Sequence, residues 1–214
     1  MRLISLFLLA LSFNFTIFGQ QKPFSGEITY KIERVDVKDS SKAIELIYAR
    51  DSIIKVVNFS SDMGKQELIK HLRLNKSYLL IETPLQNFAV RTNEHLHVDT
   101  AVYYTFKKKF GTKKIAGIRV NKLSVKHKSL QNELTFYYAK NIPAKYANTY
   151  SDLPGLPVLF YIPTEKGLFR YTLSEIKFNT PPLQLFLIPG DYKKVSFDEF
   201  TDEFTKMYEN EDQH

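Results

Sequence analysis

Apolar residues recur at every second position along most of this chain, a period that fits a strand and not a helix, whose faces repeat near every 3.6 residues. Near the start, Phe24, Ile28, Tyr30 and Ile32 alternate with Ser25, Glu27, Thr29, Lys31 and Glu33. From His95 to Phe106, Leu96, Val98, Val102, Tyr104 and Phe106 fall on one face and His95, His97, Asp99 and Thr105 on the other. Leu134, Phe136 and Tyr138 form a third stripe. Such alternation predicts antiparallel strands with one face packed and one solvated.

Shorter runs extend the pattern: Ile44 to Arg50, Ser52 to Phe59, Gln66 to Leu74, Ser77 to Glu82, Phe88 to Arg91, Ile118 to His127, Val158 to Ile162, Leu168 to Phe178 and Leu183 to Ile188. Evenly spaced short strands of this kind predict a mainly β meander. Some are apolar on both faces. Ile53, Val57 and Phe59 lie opposite Ile54 and Val56, and Leu168 and Ile176 lie opposite Phe169, Tyr171 and Leu173. These strands need cover from both sides, by a helix, a second layer or a bound apolar ligand. Between Ile118-Val120 and Leu123-Val125 the apolar parity changes, which predicts a bulge near Asn121-Lys122 and with it a curved or barrel-like sheet.

A helix is signalled only at the C-terminal end, over about 196–208. Ser196 and Glu199 make a capping box, and Val195 can staple to Phe200. Phe197, Phe200, Phe204 and Met207 or Tyr208 then recur at helical spacing, with Asp198, Glu199, Asp202 and Glu203 opposite. This amphipathic helix is expected to lay its aromatic stripe on the sheet. An acidic polar face argues against a membrane-surface role for it.

What precedes the first strand is an address. Arg2, an apolar run from Leu3 to Phe18, Gly19 and then Gln20-Gln21-Lys22 read as a secretory signal peptide over 1–19. The run contains Ser5, Ser12, Asn14 and Thr16 and is shorter than the ~20 apolar residues of a membrane span. Residues 20–214 then make one domain, in a periplasmic or secreted protein. With no Cys, the chain has no disulfide, no thiolate metal site and no Cys for lipid attachment. Its core must come from burial alone, and 17 Phe with 13 Tyr make that core aromatic.

Net charge is +7, while residues 195–214 hold Asp198, Glu199, Asp202, Glu203, Glu209, Glu211 and Asp212 against Lys206. The body is therefore more basic than the total suggests. For an exported chain, nucleic acid is not an expected partner; anionic lipid head groups or surface polysaccharide are. The runs Lys107-Lys-Lys109, Lys113-Lys114, Lys126 and Lys128 flank an expected hairpin around Gly111 and could touch an anionic membrane transiently. Lysines at a hairpin also serve simply to discourage edge pairing.

Ala139 to Pro157 is irregular, and its Leu153-Pro-Gly-Leu-Pro157 core predicts a tight turn, Pro presetting one dihedral and Gly supplying a positive one. Four segments together resemble a known group: Phe24-Ser-Gly-Glu-Ile-Thr-Tyr30, Lys114-Ile-Ala-Gly-Ile-Arg-Val-Asn-Lys122, Tyr137-Tyr-Ala139 and Leu153-Pro-Gly-Leu-Pro157. In this order they resemble exported Bacteroidota proteins of the GLPGLI and DUF4412 type. Those are similar to the periplasmic lipoprotein carriers of the LolA and LolB type. The resemblance implies a strongly curved antiparallel sheet or incomplete barrel with an apolar concave face. Two departures stand out. The position of Val120 is often Cys in related sequences, and the carriers close their concavity with several helical segments where this chain signals one.

No signature of catalysis or cofactor binding is present. Gly-rich phosphate loops and a nucleophile elbow are missing, and no cofactor is expected. His95, His97 and Asp99 would share a strand face at a spacing that suits zinc or copper, yet no fourth ligand is identifiable, so the site is a weak metal candidate. The expected function is non-enzymatic: a groove lined by Tyr30, Tyr104, Phe106, Phe136, Tyr138, Phe160 and Phe169 that holds a lipid, an acylated chain or another apolar ligand. The alternative is an envelope assembly module with an outer-membrane protein partner, engaged through a sheet edge or the Pro143–Pro157 loop.

Overall fold

The computed structural model describes residues 23–37, 43–60, 64–92, 104–128 and 130–211. The expected leader, and His95, His97 and Asp99 with the strand segment around them, lie outside the described residues. Twelve strands follow one another: β1 (Gly26–Arg34), β2 (Ala43–Arg50), β3 (Ile53–Ser60), β4 (Gly64–His71), β5 (Lys76–Ile81), β6 (Asn87–Thr92), β7 (Tyr104–Ile115), β8 (Ile118–His127), β9 (Leu134–Ala139), β10 (Leu156–Thr164), β11 (Gly167–Lys177) and β12 (Tyr192–Ser196). The helix α1 (Phe197–Glu211) closes the chain.

All twelve join one sheet in the order β12-β6-β5-β4-β3-β2-β1-β11-β10-β9-β8-β7. It does not close, and it is antiparallel except where β12 runs parallel to β6. At ~4.8 Å per strand a flat sheet would hold β3 and β8 nearly 30 Å apart. Yet Ile54 and Val56 of β3 share one core with Val120 and Val125 of β8 and Tyr104 of β7. The sheet therefore curls into an incomplete barrel around that core, the curvature the parity change near Asn121-Lys122 predicted.

Irregularities in register help the curl. Lys109 pairs with Lys122 and Thr112 with Asn121, so Phe110 and Gly111 are extra residues on β7 opposite the parity change expected at Asn121-Lys122. Gly111, with φ of 115°, belongs to this bulge and not to a hairpin tip. The β7–β8 turn falls instead at Ala116 and Gly117, whose φ values of 45° and 78° give the backbone twist that two-residue hairpins favour.

Strands with two apolar faces receive cover from two different segments. Inside, β3 packs Ile54 and Val56 into the main core. Outside, the chain leaving β11 must cross the sheet to reach β6, and on the way its Leu183–Phe186 turn packs on β3. Ile188 and Tyr192 continue this cover over Ile69, Leu80 and Ala89. Leu183 to Ile188 is thus a short 3₁₀ turn and crossover, not the strand its apolar run suggested. The strand that follows, β12, was hidden in the sequence by Lys193 and Lys194.

The capping box of α1 forms as expected: the Glu199 amide donates to Ser196 Oγ at 3.2 Å, and the Ser196 amide donates to Glu199 Oε2 at 2.7 Å. The helix packs on the sheet as expected, but only at one end and through part of its aromatic stripe. Phe200 meets Phe88 edge to face at 5.3 Å, within a small cluster of Phe88, Val90 and Val195 at the β6–β12 end of the sheet. Phe197 and Phe204 point outward. The helix therefore does not cover the central aromatic face.

Candidate functional site

What covers that face is the stretch between β9 and β10. It carries almost no alternation, but Ile142, Ala144, Tyr146, Ala147, Tyr150 and Leu153 are all buried in the main core. A buried irregular segment must satisfy its own polar groups, and this one does so against the sheet. Tyr146 Oη donates to the Asp51 carbonyl at 2.5 Å and accepts the Phe24 amide at 3.0 Å. Tyr150 Oη donates to the Tyr161 carbonyl at 2.6 Å. The Leu156 amide returns to the Ile142 carbonyl at 2.8 Å, closing the segment on itself.

Tyr150 sits in the left-handed region, with φ of 57°. That is a costly conformation for a bulky residue, held here by three rings: Tyr104 at 4.9 Å, Phe136 at 5.2 Å and Phe160 at 5.8 Å. Gly155 carries no positive φ, contrary to the turn expected for it. Its missing side chain serves a close approach instead: a Cβ there would overlap the Ala139 carbonyl oxygen and lie 3.0 Å from Lys140 Cα.

The seven groove candidates are placed unequally by this arrangement. Tyr30, Tyr104, Phe136, Tyr138 and Phe160 are buried together in the main core, with Phe106 packed at its margin. Tyr30 Oη donates to the Pro157 carbonyl at 2.6 Å, and Phe160 stacks on Tyr171 at 4.8 Å. Phe169 is half-buried farther along β11, opposite Arg34 and Ile162. The Pro143–Pro157 segment, an irregular loop in the sequence, is the filling between them.

One carboxylate lies under this filling. Glu45 of β2 pairs across the ladder with Tyr30, is 4% exposed and is bonded to the Asn148 side chain. Burial pushes its pKa up to about 7, and the Asn148 hydrogen bond offsets part of that. The neighbouring Tyr30 and Tyr171 hydroxyls are raised as well, chiefly by burial and in part by Glu45. The group holds a proton more readily than a surface carboxylate.

Space remains at the end of the curled sheet where the filling segment enters. A cleft of about 480 Å³ is lined by Pro23, Phe24, Ser25, Ile118, Arg119, Ala139, Asn141, Ile142 and Phe178. Phe24 forms its wall, edge-on to Tyr146 at 5.5 Å and to Phe178 at 5.9 Å. Phe178 is 69% exposed at the mouth. Arg119 is the one charged residue of the lining. The sequence pointed to the aromatic stripe and not here; the available signal was Phe178, an aromatic standing at the end of a strand before Asn-Thr-Pro-Pro.

Among the described residues, no group of three His, Asp or Glu is placed to hold a metal ion. No described helix is long and apolar enough to cross a membrane. No family model matches the sequence, and no curated protein matches it. Solved structures of PNGF-II are similar in fold. The P21 crystal form aligns with a TM-score of 0.50 at 16% identity, over 84% of this chain and 33% of that one. The C2 form gives 0.49 at 17% identity, over 83% and 31%. The chain thus spans about a third of the PNGF-II chains it matches, and the likeness is one of fold.

Proposed function

We propose that this is an exported, non-enzymatic envelope protein that binds a lipid, an acylated chain or another apolar ligand. The observation that carries the reading is the cleft of about 480 Å³ walled by Phe24, Ile118, Ile142 and Phe178. Its size falls in the range of small-molecule sites, and its few polar groups beside apolar walls fit an acyl chain with an anionic head. Arg119 is suited to that head, since a guanidinium can bond a carboxylate or phosphate through two parallel donors. The central aromatics would then stabilise the fold behind the site.

The leader-like start of the chain supports a periplasmic or secreted location, and the four-segment resemblance supports a carrier-like role. A protein-assembly role draws less support. The β7 strand at one end of the sheet is rich in Lys, which disfavours strand pairing, and the 143–157 segment is packed inside.

The test is purification under native conditions, mass spectrometry of organic extracts and displacement of a fluorescent fatty acid. Co-purified lipid and a displaceable probe, weakened by Phe178→Ser and by Arg119→Gln, are expected. A clean extract with no retained probe would overturn the reading.

A further inference from the structure

The outer face of the β7–β8 hairpin concentrates positive charge in a way that packing does not require. Leu123 and Val125 of β8 point into the core, so their neighbours Lys122, Ser124 and Lys126 point away from it. Cross-strand partners share a face. Lys122 and Lys126 therefore stand on the outer face with Lys109 and Lys107 of β7, which lie across from Lys122 and Ser124. Lys109 and Lys122 are a like-charge pair directly across the ladder. Such a pair weakens a hairpin.

One carboxylate joins the patch. Glu133 bonds Ser124, and its pKa is lowered first by that bond and then by Lys109, Lys107 and Lys126. It leaves the face strongly positive. Phe110, in the bulge that follows Lys109, is 104% exposed, more than any other large apolar side chain among the described residues. Gly111, at φ of 115°, allows the chain to turn there.

We propose that this face docks on an anionic lipid bilayer, the four lysines meeting the head groups and Phe110 entering the interfacial layer. Charge complementarity selects a polyanion, and the fully exposed Phe110 selects a bilayer over a soluble polyanion. Apolar anchors and basic side chains act together at such surfaces. The inference is independent of the cleft, because neither Phe110 nor the lysines line it.

The test uses the chain from Gln20 onward, which contains every described element, with vesicles of phosphatidylcholine alone or mixed with phosphatidylglycerol. Binding only to the mixed vesicles is expected, falling as salt rises. The triple variant Lys107→Gln, Lys109→Gln and Lys122→Gln should bind about a hundredfold more weakly, at roughly fivefold per charge. Phe110→Ser should weaken binding several-fold with its salt dependence unchanged. The chain has no Trp, so Phe110→Trp reports insertion directly through a blue-shifted emission quenched by brominated lipid. Unchanged melting of the variants separates docking from folding.

Equal binding to neutral vesicles, or none to the mixed ones, would overturn the proposal. So would a Trp at position 110 that stays water-exposed while heparin competes fully, since the face would then serve a soluble polyanion.

Discussion

Tyr146 and Asp51 tie the filling of the barrel to its rim: the Tyr146 hydroxyl, 95 residues along the chain, donates to the Asp51 carbonyl at 2.5 Å. Asp51 stands between β2 and β3 with φ of 53°. The same oxygen accepts the Phe24 amide at 3.0 Å. A single hydroxyl thus joins the chain just before β1, the β2–β3 turn and the 140–155 segment.

Removing that hydroxyl isolates its contribution, because Tyr146→Phe keeps the ring against Phe24. The Phe24 amide and the Asp51 carbonyl would each lose a partner close to the core. A loss of about 1–3 kcal/mol follows. Urea denaturation should show a lower midpoint with an unchanged slope, the sign of lost stability without a changed denatured state.

Gly155→Ala distinguishes two reasons for a glycine. Were Gly155 only a flexible turn residue with ordinary dihedrals, alanine would stabilise the chain slightly by restricting its unfolded state. The structure puts a Cβ into the Ala139 carbonyl and 3.0 Å from Lys140 Cα, both backbone groups that yield little. A destabilisation of about 2 kcal/mol is expected, read as a lower thermal midpoint. Gly190→Ala, where nothing lies within 4 Å of the added carbon, is the control and should be near neutral.

These residues also show why the sequence disclosed the sheet more readily than its filling. Alternation fixes a strand locally, so β1 and β8 were legible from their own residues. The 140–155 segment has no period, because Tyr146, Tyr150 and Leu153 reach the core from irregular backbone. Its composition held the clue: a long loop with two Tyr, two Ala, Ile142 and Leu153 against three charges is too apolar to lie on a surface. Nothing local could place β12, whose pairing with β6 depends on a crossover over the whole outer face. The cleft is harder still, since Phe24, Ile118, Ile142 and Phe178 meet only after the sheet curls.

Phe200→Ala should act at one end of the molecule. Phe200 packs on Phe88 at 5.3 Å and leans on Phe204 at 5.3 Å. It is the main aromatic link from α1 to the sheet, in a cluster separate from the main core. Truncating a partly buried Phe removes about 2 kcal/mol of local packing, enough to open the helix without unfolding the barrel. Amide exchange should speed up in α1 and β12 while β1, β9 and β10 keep their protection.

Glu45 should make stability fall as pH rises through neutrality. Its carboxyl titrates at about 7 in the folded chain against an ordinary 4.5, so between those values the folded state holds the extra proton. Stability then declines across that window and reaches its full penalty above it. The gap corresponds to about 3 kcal/mol as an order of magnitude. Glu45→Gln keeps an amide that can bond Asn148 and cannot ionise. Its urea midpoint should match the parent near pH 4 and exceed it near pH 8, with the difference opening between them. Parallel curves for the two chains would show that Glu45 is solvated when the 140–155 segment is in place.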